Sequence, residues 1–357
     1  MVSELTLRQK VGQLFVVRPE VLDSDYTLKG YNDNLSKGIT SVTDNMTAVN
    51  EDYSVGGFIL YSNNIQSPSQ LTSFVTALKG MRGAPFIMVD EEGGSVARIA
   101  GNPSFAVASY ESIEAVGNTG DHINALNCGS AIGKYLHKYG IDLDLAPVAD
   151  LNSNPSNRVM GDRAFTGDPE LGASMAIAFN QGLLQEGVYG CLKHFPGHGD
   201  TSGDSHLGYA ETYKTWNELL ECEVLPFQAG IMYGATFIMV GHISAPEVTG
   251  NGTPSSLSST MITEKLRTEL GFKGIVITDA MEMSAITERY TSGEAAIAAI
   301  KAGADLILSP ENFTEAYDAV VAAVQNGDIP ESRIDESVKR LLPIKLQVRG
   351  VSTSSSR

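Results

Sequence analysis

Fourteen residues of this 357-residue chain hold half of its histidines. The stretch 193-KHFPGHGDTSGDSH-206 carries His194, His198 and His206 out of six, together with Lys193, Asp200 and Asp204. Pro196, Gly197, Gly199 and Gly203 forbid a regular helix there, and the segment is too polar for a buried strand. Two chemistries suit such a loop. Three imidazoles and two carboxylates are the ligand types of a metal site. Alternatively, Asp204 and His206 form a proton-transfer dyad. The imidazole titrates near neutrality, and Asp204 would hold one ring nitrogen and leave the other to donate.

Either chemistry needs a scaffold. Eight short apolar runs bounded by turn residues recur along the chain: 13-QLFVV-17, 56-GGFILY-61, 86-FIMVD-90, 141-IDLDLAPVAD-150, 188-VYGCLKH-194, 236-TFIMVGHI-243, 274-GIVITDA-280 and 304-ADLILS-309. They read as parallel strands buried on both faces. Amphipathic stretches at 68–81, 121–140, 168–187 and 260–271 lie between them, with later helices at 292–302, 313–326 and 330–347. Asp168-Pro169 makes an N-cap and N1 pair, and Gly187 a stop. The alternation predicts an α/β fold, a single (β/α)8 TIM-type barrel over residues 1–350. A doubly wound open sheet is the competing arrangement, but no GxGxxG opens the first unit. Residues 18–55, polar and rich in Asn, Asp and Ser, form a long connection after the first strand, either at the barrel mouth or on the surface. Residues 351–357 read as a disordered tail.

A barrel places its active site where strands end. Those ends are polar here: Asp90-Glu91-Glu92-Gly93-Gly94 on the third, Asp150 on the fourth, Lys193-His194 on the fifth, Gly241-His242 on the sixth and Thr278-Asp279 on the seventh. One charged strand end is ordinary; five on one rim mark a site. No GxSxG elbow signals a serine nucleophile. The metal reading is weakened because His194-x3-His198, a helical ligand spacing, is broken by Pro196 and Gly197, and because the first strand carries no histidine. A carboxylate nucleophile at a strand end, paired with an imidazole acid, performs glycosyl transfer.

Composition narrows the partners. The net charge of −17 repels nucleic acid and anionic lipid and is spread without an acidic tail. No apolar run is long enough to span a membrane. Cys128, Cys191 and Cys222 are three and widely spaced, which argues against disulfides or a thiolate zinc site and for buried free thiols. The N-terminal MVSELTLRQKVGQLF shows no signal peptide, so the chain as it stands reads as cytoplasmic; a secreted chain whose leader had been removed would look the same.

The loop KHFPGHGDT followed by D-S-H closely resembles the signature of glycoside hydrolase family 3, in its β-N-acetylglucosaminidase branch. VDEEGGSVARI at 89–99, APVADLNSNPSNRVMGDRAF at 146–165 and GIVITDAMEM at 274–283 resemble that family's other motifs in the same order. The resemblance runs from about residue 5 to 345. It implies a retaining exo-β-N-acetylglucosaminidase that removes terminal GlcNAc, with Asp279 as nucleophile, His206 as acid/base and Asp204 as its dyad partner. Asp90, Arg98, Arg163, Lys193 and His194 would bind the sugar. It implies no cofactor and no metal, and a substrate that is a GlcNAc-containing oligosaccharide, either a cell-wall muropeptide fragment or a chitin oligosaccharide. Phosphorolysis and β-glucosidase specificity are the alternatives within the family; a metal-dependent hydrolase barrel and a non-catalytic sugar-binding protein are those outside it. Ala280, where some relatives have an acidic residue or Ser, and the length of 18–55 are the departures.

Each residue also has a plain structural reading. Asp279 would cap the next helix, His206 would be a loop histidine and Asp204 a turn cap. Lys193 would be an ion-pair partner, His194 a core imidazole and Asp90 an acceptor for the glycine loop behind it. Arg98 and Arg163 would be rim salt bridges. His198 and Asp200 read as loop-shaping, His242 as site lining or packing, and His122 and His137 as surface residues.

Overall fold

The computed structural model describes residues 2–24, 38–154, 157, 159–201 and 210–350. All eight predicted strands form: β1 (Phe15–Val17), β2 (Gly57–Leu60), β3 (Phe86–Val89), β4 (Leu143–Asp144), β5 (Tyr189–Phe195), β6 (Phe237–Val240), β7 (Ile275–Thr278) and β8 (Ile307–Leu308). They pair in parallel in the order β7-β6-β5-β4-β3-β2-β1-β8. A parallel bridge between Ile277 and Leu306 joins the two ends. Helices pack outside this ring, so the fold is the predicted eight-stranded barrel.

Alternation divides the strand side chains into two cores. Val16, Ile59, Phe86, Met88, Leu143, Cys191, Phe237, Met239, Ile277 and Leu308 fill the lumen. Their neighbours Phe15, Phe58, Ile87, Leu192, Ile238, Val276 and Ile307 face outward to the helices. Both faces are dry, which is why the strands read as continuous apolar runs.

The helices follow their caps. Pro68–Lys79, His122–Lys138, Pro169–Gln185, Ser292–Ala302, Phe313–Gln325 and Glu331–Val348 match the predicted spans. The Asp168 side chain accepts from the Leu171 N–H, as its N-cap position requires, and Gly187 sits just past the helix at φ +82°. The predicted helix at 260–271 forms as Thr260–Glu269, wound with π spacing.

One expectation needs correction. The fourth run is not a ten-residue strand: its regular ladder covers only Leu143–Asp144, after which Leu145, Ala146 and Pro147 make single hydrogen bonds to the neighbouring strands and Val148 rejoins by an isolated bridge to Lys193. The polar connection at 18–55 contains a helix, Asp44–Tyr53. Thr43 caps it by accepting from the Met46 N–H, and Ser54 ends it in the left-handed region. Residues 25–37 of that connection, and the tail 351–357, lie outside the described residues. Cys128 and Cys191 are buried free thiols and Cys222 is half-buried. Among the described residues, no helix is long and apolar enough to cross a membrane.

Candidate active site

The alternation that fills the lumen also builds the site. One inward step beyond Val16, Ile59, Met88, Cys191, Met239 and Ile277 come Arg18, Tyr61, Asp90, Lys193, Gly241 and Asp279, at the C-terminal mouth. Asp90, Arg98, Arg163, Lys193, His194 and Asp279, all predicted from the sequence, line one pocket of about 240 Å³. Asp204 and His206, the predicted dyad, lie outside the described residues. The pocket also takes Tyr61, Glu92, Met239, Ala280, Glu282 and Met283. Lys193 and His194 are consecutive yet both face it, because β5 breaks register between Leu192 and Phe195.

Glu92 is the hub of the β3–β5 wall. Arg163 grips it bidentately, Nε to Oε2 at 2.8 Å and Nη2 to Oε1 at 2.7 Å. Lys193 Nζ reaches Glu92 Oε1 at 2.6 Å and Asp90 Oδ1 at 2.7 Å. Burial alone would raise the Glu92 carboxyl, but Lys193 and Arg163 outweigh it and hold it well below the usual carboxylate range. Burial would likewise lower Lys193, but Asp90 and Glu92 keep it firmly protonated. The glycine loop does not turn on Asp90. Glu91 accepts the backbone N–H groups of Arg98, Ile99 and Ala100 and the Tyr135 hydroxyl. Its carboxylate thereby fixes the loop that carries Arg98.

Asp150 does the same for His194. Its Oδ2 lies 2.6 Å from His194 Nδ1, and both carboxylate oxygens accept the His194 N–H. The ring thus offers Nε2 to a ligand. Burial would raise Asp150, but His194 outweighs it and holds the carboxyl below its ordinary range. The described members of the metal alternative point at protein partners: His194 at Asp150, His198 Nδ1 at Thr201 Oγ1 (2.8 Å) and Asp200 at Thr212 and Lys214. His198 and Asp200 therefore shape the loop.

The opposite wall was not foreseen. Arg18 Nη1 meets Glu282 Oε1 at 3.3 Å, and its guanidinium lies 4.2 Å from the Tyr61 ring centroid. Burial pushes the Glu282 carboxyl up against the pull of Arg18. Arg18 and Tyr61 were findable by extending the alternation one step past β1 and β2. Glu92 lies in a short hairpin strand, Glu91–Gly93, beyond β3, and Glu282 lies past the end of β7, so the barrel's alternation does not reach either. Asp279 receives the Ala280 N–H on Oδ1 at 2.8 Å and donates its own N–H to the Val240 carbonyl.

The comparisons agree with the fold and with one family. The family model described as the Glycosyl hydrolase family 3 N terminal domain matches residues 6–344. The chain is 30% identical over 342 residues to beta-hexosaminidase A of Pseudoalteromonas piscicida, covering 88% of this chain and 57% of that protein. It is 34% identical over 311 residues to beta-hexosaminidase LpqI of Mycobacterium tuberculosis, covering 84% of this chain and 77% of that one. A solved glycoside hydrolase family 3 β-N-acetylglucosaminidase from a Paenibacillus species superposes with a TM-score of 0.87 at 35% identity, over 99% of this chain and 64% of that chain. The chain thus spans less than two thirds of two of these three relatives. With the barrel, the ordered motifs and the family model all in agreement, this chain belongs to glycoside hydrolase family 3.

Proposed function

We propose that the chain is a retaining exo-β-N-acetylglucosaminidase. The observation that carries this reading is the place of Asp279: it lines a pocket shared with the ion-paired network of Asp90, Glu92, Arg163 and Lys193. An Asp279 oxygen attacks the anomeric carbon. The bond from that carbon to the glycosidic oxygen breaks, and its electron pair goes to the oxygen, which takes a proton from His206. Asp204 holds the imidazole. In the second step His206 takes a proton from water, whose oxygen attacks the same carbon, and the Asp279 ester bond breaks with its pair returning to the carboxylate.

Asp90 accepts from sugar hydroxyls, while Lys193, His194, Arg98 and Arg163 donate to them and to the N-acetyl carbonyl. The β-hexosaminidase and β-N-acetylglucosaminidase names of the relatives support a GlcNAc-terminated substrate, an oligosaccharide or muropeptide fragment. The groups in this scheme fall within residues 90–279, inside the stretch we assign to the barrel.

The test is a product-identified assay on aryl β-N-acetylglucosaminide and aryl β-glucoside, with and without chelator and phosphate. We expect the N-acetylglucosaminide to be the faster substrate, free GlcNAc as product, no chelator effect and no turnover in Asp279→Asn. Loss of activity in chelator would favour a metal hydrolase, a faster glucoside a β-glucosidase, and sugar 1-phosphate a phosphorylase. Substantial turnover in Asp279→Asn would sink the nucleophile.

A further inference from the structure

His242 is buried (1% exposed) two residues past the end of β6, and it is not among the residues that line the pocket. Its ring is nevertheless tied to the segment that carries Asp279. Nε2 lies 2.9 Å from the Ala280 carbonyl oxygen, and Nδ1 lies 2.7 Å from Ser256 Oγ. A carbonyl only accepts, so Nε2 bears the proton, and in the neutral ring Ser256 donates to Nδ1. Ser256 is itself fixed, with its N–H on the Gly241 carbonyl at 3.2 Å, while its neighbour Ser255 donates from Oγ to the Ile243 carbonyl at 2.6 Å.

We propose that His242 is a positioning residue for Asp279, an inference that rests on Asp279 being the nucleophile. The backbone on either side of Ala280 is pinned to neighbouring strands: the Asp279 N–H to the Val240 carbonyl and the Met281 N–H to the Leu308 carbonyl, each at 2.9 Å. The Ala280 carbonyl between them accepts the Met283 N–H at 3.1 Å from its own turn, and His242 Nε2, at 2.9 Å, is the side chain that ties that carbonyl to the β6 wall. Once Ala280 is set, its N–H is aimed at Asp279 Oδ1 (2.8 Å), which selects one carboxylate rotamer and one oxygen for attack. The reacting atoms must approach within about 3–3.5 Å in line, and an error of about 1 Å in such a placement lowers a rate about 10²-fold.

A 5-fluoro N-acetylglucosaminyl fluoride, which accumulates the covalent sugar, tests this when labelling is timed and mapped by peptide mass. We expect His242→Ala to label Asp279 about 10²-fold more slowly than wild type, with the inhibition constant of free GlcNAc unchanged. His242→Gln, which keeps an N–H at similar reach, restores most of the rate. Labelling of folded His242→Ala at the wild-type rate overturns the proposal, as does a folded His242→Gln that is as slow as the alanine variant. If His242→Ala does not fold, Ser256→Ala decides: slower labelling at unchanged GlcNAc binding supports the relay, and an unchanged rate refutes it. A wild-type label on a residue other than Asp279 would instead overturn the nucleophile reading, which separates the two failures.

Discussion

Glu92 is a fully buried carboxylate whose charge is matched by two cations. Removing one partner of such a pair leaves an uncompensated charge and lowers stability by about 3–5 kcal/mol. Arg163→Ala should therefore destabilise the fold by that order, and Arg163→Lys by less, because one lysine cannot reproduce the two-point grip. The pH dependence has a definite sign. A carboxyl held below its usual range contributes its stability in full above the unfolded value of about 4.3, and loses it as pH falls toward the folded value. The Arg163→Ala deficit should be flat from about pH 5 to 8 and should narrow in more acid solution. Denaturant titrations across that range decide it; a deficit that vanishes near neutrality contradicts the pairing.

At the scale of elements, the packing of α1 (His122–Lys138) on α2 (Pro169–Gln185) rests on glycine. A Cβ on Gly129 would fall 2.1 Å from the Phe179 carbonyl oxygen, and one on Gly182 would fall 2.3 Å from that of Leu126. The two backbones touch, and no side chain can yield. Gly129→Ala would gain about 1 kcal/mol of helix propensity. Pushing the helices apart should outweigh that and give a net loss of about 1–3 kcal/mol, read from a chemical melt. A variant as stable as wild type would contradict this contact. The elements were also the most legible level. Apolar runs and caps gave the helices within a few residues, since both are local. The run 141–150 was misread in length, since its regular pairing covers only Leu143–Asp144, and the helices Trp216–Glu221 and Leu225–Met232 were not foreseen.

For the whole molecule, the last helix, α3 (Glu331–Val348), closes the end of the barrel away from the site. Leu341 joins the lumen core, with Ile344 and Val348 packed against it. Between them Lys345 is buried, with Nζ 2.6 Å from Gln13 Oε1 and 3.2 Å from the Gly83 carbonyl oxygen. Burial, and then Arg349, pull its ammonium down to about 7. The unfolded chain keeps that proton to about pH 10.4, so between these values the unfolded state binds more protons and the native state gains stability as pH rises. Raising pH from 7 to 10 should stabilise wild type relative to Lys345→Met by about 2–4 kcal/mol. Equal pH profiles for the two proteins would show that Lys345 keeps its charge.

The sequence by itself determined the barrel and most of the residues at its mouth. Both are periodic facts: alternation fills the lumen, and its next step sets Asp90, Lys193 and Asp279 at the rim. Only the tertiary structure decided who pairs with whom. Lys193 meets Asp90 across 103 residues, and Arg18 meets Glu282 across 264. It also decided that His242 reaches the residue beside Asp279 from inside the wall. Such partnerships follow from strand register and from closure of the sheet upon itself. Those are properties of the assembled ring, and no local pattern along the chain contains them.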